Sequence, residues 1–204
     1  MTSLEIGRLL RAGTSGFVAG CRSDQIDALS FGALVSVPLE NDCQVYGLIY
    51  NIQIDDDGLV RQLVASNNLA ENIIADNRQN RNIPMELGVL SVGYAERGSI
   101  YHLLPPHPPL SLESITLCDE PELRVFTSKG WGYFRHILRA TELPIGELLA
   151  AHLKQAHSAH WAAGNTAWIN EAIRELIILL RDDYPTLMTV LSALSDALPG
   201  DRYE

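Results

Sequence analysis

Cysteine and lysine are the scarce residues of this 204-residue chain. There are three cysteines, Cys21, Cys43 and Cys118, an odd number spread far apart. No CxxC and no Cys/His pair at metal-ligand spacing occurs. That argues against a disulfide framework and fits a reducing cytoplasm better, with the thiols expected as small buried apolar groups. Only two lysines occur, Lys129 and Lys154; the other thirteen basic residues are arginines. Neither lysine follows a phosphate-cradling glycine loop, so GxxxxGK[ST] is missing; "GTSG" at 13–16 lacks the lysine altogether. Long apolar runs are missing too. The longest, "LIILL" at 176–180, is far short of the ~20 residues that span a bilayer, so no membrane association is expected. "MTSLEIGRLLRAGTSG" has no apolar h-region, and no signal peptide is expected there. Positive charge is in deficit: net charge is −10 and the pI about 5.0. An acidic chain is repelled by bulk phosphate, which argues against nucleic acid as a partner. No HExxH occurs, and no serine, cysteine or carboxylate pair stands out as nucleophile or acid/base dyad. No catalytic residue, metal site or cofactor is therefore expected.

What the chain does have is apolar bulk, 47% of its residues, in a pattern that changes near residue 118. Before it, short runs carry β signals between glycine and aspartate breaks: 4–13, 15–21, 32–39 and, most strongly, "CQVYGLIYNIQI" at 43–54. In that run Val45, Gly47, Ile49, Asn51 and Gln53 alternate with Tyr46, Leu48, Tyr50, Ile52 and Ile54. "DDDG" at 55–58 reads as a turn. Residues 63–85 break the pattern with six asparagines, a short helix over about 68–76 and an exposed "NRQNRNIP". β signals return over "ELGVLSVGYAERGSIYHLLP", with Glu96-Arg97-Gly98 as a tight turn.

After residue 118 helices follow. Asp119 is placed to cap one, with Pro121 in its first turn. "GWGYFRHILRA" forms a second short segment. A third helix runs over 144–161 and ends at Gly164. A fourth follows a cap at Asn165 or Thr166; its Trp168, Ile169, Ala172, Ile173, Leu176, Ile177 and Leu180 trace one apolar stripe. Asp182 or Asp183 caps the last, with leucines at 187, 191, 194 and 198. The expected architecture is α+β: a small antiparallel β-barrel over 1–118, with a helical or loop insertion at about 63–85, then an all-helical domain over 119–204.

The β half resembles the HAS-barrel, the small barrel shared by HerA-type DNA translocases and ATP-synthase subunits. The resemblance rests on "EIGRLLRAGTSGFVAGC", "GALVSVPL", "VYGLIYNIQI" and "VGYAERGSIYHLLPPHPPL", and covers roughly residues 1–118. The whole chain is similar to stand-alone HAS-barrel proteins of the type found in cyanobacteria. The translocases carry an ATPase domain, which the missing phosphate loop denies to this chain. The resemblance therefore implies the barrel and side-by-side packing of barrels, not ATP or DNA chemistry.

The densest punctuation in the chain is "LLPPHPPL" at 103–110. Proline cannot donate to a strand ladder and fixes extended geometry. The run is expected to be a rigid connector from the barrel's last strand to the helices, pinned by Leu103, Leu104 and Leu110; a Pro-rich ligand for an SH3-like partner is the alternative. Three further stretches hold candidate residues. "SKGWGYFRH" at 128–136 sets Lys129, Trp131, Tyr133 and Arg135 between glycines as a partner or ligand surface, against the reading that Trp131 and Phe134 fill the interdomain core. "NRQNRN" offers Arg78 and Arg81 to an anion, without aromatics to stack a base. "HLKQAHSAH" puts His152, His157 and His160 on the helix over 144–161; at about 100° per residue His157 and His160 share a face and His152 lies about 80° from His160. The leading expectation is a non-enzymatic assembly or adaptor protein acting through protein–protein contacts. It is expected to form a homo-oligomer, most simply a dimer built through the helical half. The alternatives are a metal-binding protein or enzyme using the histidine-bearing helix, and a nucleic-acid-associated accessory protein.

Overall fold

The computed structural model describes residues 4–22, 27–39, 41–54 and 84–198. The expected helix over 68–76 and the arginines Arg78 and Arg81 lie outside these residues. Among the described residues seven strands come first: β1 (Leu4–Ala12), β2 (Gly16–Arg22), β3 (Leu34–Leu39), β4 (Cys43–Ile54), β5 (Pro84–Glu96), β6 (Ser99–Tyr101) and β7 (Ser114–Leu117). Five helices follow: α1 (Glu120–Thr127), α2 (Phe134–Leu138), α3 (Ile145–Ala162), α4 (Trp168–Leu179) and α5 (Tyr184–Ala197). The class is α+β.

Six strands close on themselves in the order β1-β2-β5-β4-β3-β7, every pairing antiparallel. β6 adds to β5 outside the ring. β5 is long because it serves two neighbours on one edge. Up to Leu90 that edge pairs with β2, and from Tyr94 it pairs with β6.

Alternation sorts the strand side chains into two cores. Ile6, Leu9, Phe17, Ala19, Val35, Val37, Val45, Ile49, Met85, Leu87, Val89 and Ile115 fill the lumen, joined by Leu29 and Ala33 from the β2–β3 connection. The barrel is thus packed solid rather than hollow. Leu34, Tyr46, Leu48 and Val92 point outward instead, into a second cluster shared with the helices. β3, β4 and β5 are therefore buried on both faces. The Cys21 thiol belongs to the lumen, and burial pushes it up to about 11. All three cysteines are free.

Two expectations for the proline run need correction. It does not join the last strand to the helices. It joins β6 to β7, and β7 pairs with both β1 and β3 to close the barrel. Sequence reading missed β7 because "SITL" is four residues long and has no clear alternation. Nor do leucines pin the run: Leu103, Leu104 and Leu110 are exposed. Pro105 and Pro109 are the buried members, and His102 anchors the entry, its ring on Phe126 and its Nε2 3.1 Å from the Phe126 carbonyl.

The helix starts follow local chemistry. Asp119 Oδ1 accepts from the Glu122 amide at 2.9 Å, and Asp183 Oδ1 from the Thr186 amide at 3.2 Å. α4 differs from expectation. Ala167 occupies its N-cap without a side-chain bond, so neither Asn165 nor Thr166 caps it. Gly164, with φ +86°, turns the chain after α3. Among the described residues, no helix is long and apolar enough to cross a membrane.

Gly47 sits on β4 opposite a bulge in β5, where Val92 is the extra residue and the register between the two strands shifts. A Cβ there would lie 2.4 Å from Val89 Cγ1, 3.0 Å from the Leu90 carbonyl oxygen and 3.2 Å from Phe17 Cζ. The strand approaches its neighbours too closely for any side chain. Gly47→Val should lower stability by about 1–3 kcal/mol despite valine's better strand propensity. Urea denaturation checks this; an unchanged midpoint would contradict the close-approach argument.

Candidate functional site

The segment over 128–136 lies where the barrel's outer face meets the helices. Its four candidates have different surroundings. Tyr133 is fully buried, with ring centroids 4.7 Å from Phe134, 5.0 Å from His102, 5.4 Å from Phe126 and 5.5 Å from His152. Trp131 is half-buried, 5.5 Å from Phe134 and 5.3 Å from Trp168. Arg135 donates to the His102 carbonyl, which also accepts from His136 Nε2 at 3.1 Å. Lys129 is exposed. Trp131 and Tyr133 thus join one aromatic network, Arg135 clamps the start of the proline run beneath it, and Lys129 stands apart.

That network is continuous across the junction. Tyr46 on β4 meets Phe126 on α1 at 4.9 Å. Phe126, His102 and Tyr133 contact one another, and Phe134, Trp131 and Trp168 carry the chain to His160, stacked on Trp168 at 4.4 Å. Offset and tilted pairs of this kind add about 0.5–1.5 kcal/mol each beyond area burial. Gln44 ties the same edge by donating to Tyr46 Oη and, at 2.9 Å, to Glu122.

The three histidines of α3 do not converge. His152 Nδ1 donates to the Gly32 carbonyl at 3.2 Å. His160 Nε2 is 2.8 Å from Thr127 Oγ1. His157 lies edge-on to Trp161 at 5.6 Å. Among the described residues there is no group of three or more histidine, cysteine, aspartate or glutamate side chains placed to hold a metal ion. His152 is a docking residue. At Gly32, φ +80°, a Cβ would lie 2.7 Å from the His152 amide nitrogen, so helix and barrel loop touch backbone to backbone. Gln155 Nε2 adds a bond to the Phe31 carbonyl at 3.0 Å.

The most exposed apolar feature of the helical half lies elsewhere. Around the α4–α5 turn, Ile177, Ile178, Leu179, Tyr184 and Met188 are all exposed, Ile178 at 58% and Tyr184 at 68%. The stripe read on α4 is only partly consumed by the core. Trp168, Ile169, Ala172, Leu176 and Leu180 are buried, whereas Ile177 faces out. Sequence reading placed Ile177 with the core set because it keeps the 3–4 spacing; Ile178 and Tyr184 carried no such signal. No protein-family model matches the chain, and no curated protein matches it.

Burial pushes the His152 imidazole down to about 4, the Gly32 hydrogen bond opposing. His102, His136 and His160 are also lowered, burial first among the causes. The unfolded chain, with His152 near its ordinary 6.5, takes up a proton that the folded chain refuses. Stability should fall as pH drops from about 6.5 toward 4, by about 3 kcal/mol for His152 alone. In His152→Asn the side-chain amide replaces Nδ1 toward Gly32 but does not titrate. Its urea midpoint should decline less steeply between pH 6.5 and 5 than that of the unsubstituted protein. Parallel declines would remove His152 as the cause.

Proposed function

We propose that this chain is a non-enzymatic assembly or adaptor protein: a barrel of the HAS type without a motor, acting through protein–protein contacts made by its helical half. The observation that carries the reading is the exposed apolar corner at the α4–α5 turn. Five large apolar side chains within twelve residues of sequence stay in water there. Single exposed leucines are ordinary, but such a concentration is what a contact surface needs. The filled lumen supports the same reading, since the barrel interior is core rather than a ligand chamber. The first partner is a second copy of this chain, because two-fold pairing is the commonest way to cover one self-complementary patch. Three free thiols suit a reducing compartment.

Light scattering on the full chain at tens of micromolar should give the mass of a dimer. The double variant Ile178→Glu/Tyr184→Glu should shift it to monomer while the melting temperature moves little, because both side chains are exposed. A strictly monomeric full-length protein would overturn self-assembly through this corner.

A further inference from the structure

A cleft in the described part of the molecule lies away from that corner, between the β1–β2 hairpin, the outer side of β4 and β5, and the segment joining α2 to α3. Its volume is about 550 Å³, well within the range of small-molecule sites. In a chain of net charge −10 its lining is anomalous. Among the described residues that line it are two arginines, Arg11 and Arg139, and no carboxylate. Arg11 reaches Glu86 at 3.6 Å, an open pair with the arginine side chain 69% exposed, which a stronger anion can displace. Ser15 and Thr141, which bear hydroxyls, line the same space. Its apolar wall includes Tyr50 and Leu143. Tyr50 is held against the sheet over Gly88, where a Cβ would lie 2.9 Å from the ring's Cζ.

We propose that this cleft binds a small organic phosphate with a flat ring. Two guanidiniums and two hydroxyls are suited to a phosphate, which accepts bidentate, charge-assisted hydrogen bonds. The volume exceeds what inorganic phosphate needs, and Tyr50 offers an aromatic face to a ring. A phosphate, with more acceptor oxygens and more charge than a carboxylate, matches two guanidiniums better. The site joins residues far apart in sequence, so occupying it would tie the first hairpin to the α2–α3 segment.

The test is titration calorimetry on the full-length protein at fixed ionic strength, with inorganic phosphate and phenyl phosphate as probes. Phenyl phosphate should bind saturably at one site per chain, about tenfold or more tighter than inorganic phosphate. Arg11→Gln and Arg139→Gln should each weaken it by about tenfold, and Arg139→Lys by less. Tyr50→Leu should abolish the preference for phenyl over inorganic phosphate. Both arginines are exposed, so these variants should fold; amide shifts in the unsubstituted protein give an independent readout, expected at residues 13–16 and at Thr141. No saturable heat with phenyl phosphate, equal affinity for the two probes, unaltered affinity in the Arg11→Gln/Arg139→Gln double variant, or shifts confined to other regions would each overturn the assignment.

Discussion

The architecture depends on one constraint: β3, β4 and β5 carry apolar side chains on both faces. A closed barrel can hide only its inner set. Leu34, Tyr46, Leu48 and Val92 point the other way. Each such side chain is worth about 1.5–3 kcal/mol if it leaves water, and only a second layer can remove it. The helices supply that layer. α1 and α2 bring Phe126, Phe134 and Ile137, while α3 brings Leu148, Leu149 and Leu153. The barrel sides thus divide: the β3–β4–β5 side is a foundation for helices, whereas Leu4 and Leu10 on β1 are exposed.

Polar groups at this seam fix where the layers sit, since dispersion between apolar surfaces is not directional. Gln44 to Glu122, His152 to Gly32, Gln155 to Phe31 and Arg135 with His136 on the His102 carbonyl each accept one geometry. Their burial also leaves costs. Tyr133 Oη, His152 Nε2 and Trp168 Nε1 have no hydrogen-bond partner among the described residues. Burial drives the Tyr133 phenol well above its ordinary range, so the hydroxyl stays protonated. Such groups are tolerated because the rings bearing them carry large apolar areas.

Much of this was legible in the sequence wherever one residue decides a local outcome. The strand over Cys43–Ile54 follows from its period-two pattern, and the starts of α1 and α5 from Asp119 and Asp183. Leucines flanking the prolines looked like anchors, yet Leu103, Leu104 and Leu110 are exposed while Pro105 and Pro109 are buried. Apolar composition does not tell which way a strand-free segment faces. β7 was hidden for a related reason: a four-residue strand owes its state to neighbours on both sides, not to its own propensity. Arg11 and Arg139 lie far apart in the chain, and nothing local to either announces that the fold sets them around one cleft.

The position of β7 has a consequence for how the chain acquires its structure. β1 is the first strand made, yet one of its edges has no partner until residues 114–117 exist. β3 waits for the same four residues. During synthesis the sheet is therefore an open ribbon with two unpaired edges while the whole of β2 to β6 and the proline run emerge. Closure then depends on contacts of very large sequence separation, which folds of this kind form slowly. The stiff run at 103–110 shortens that search, because a segment with few conformations delivers the last strand toward the gap at smaller entropic cost.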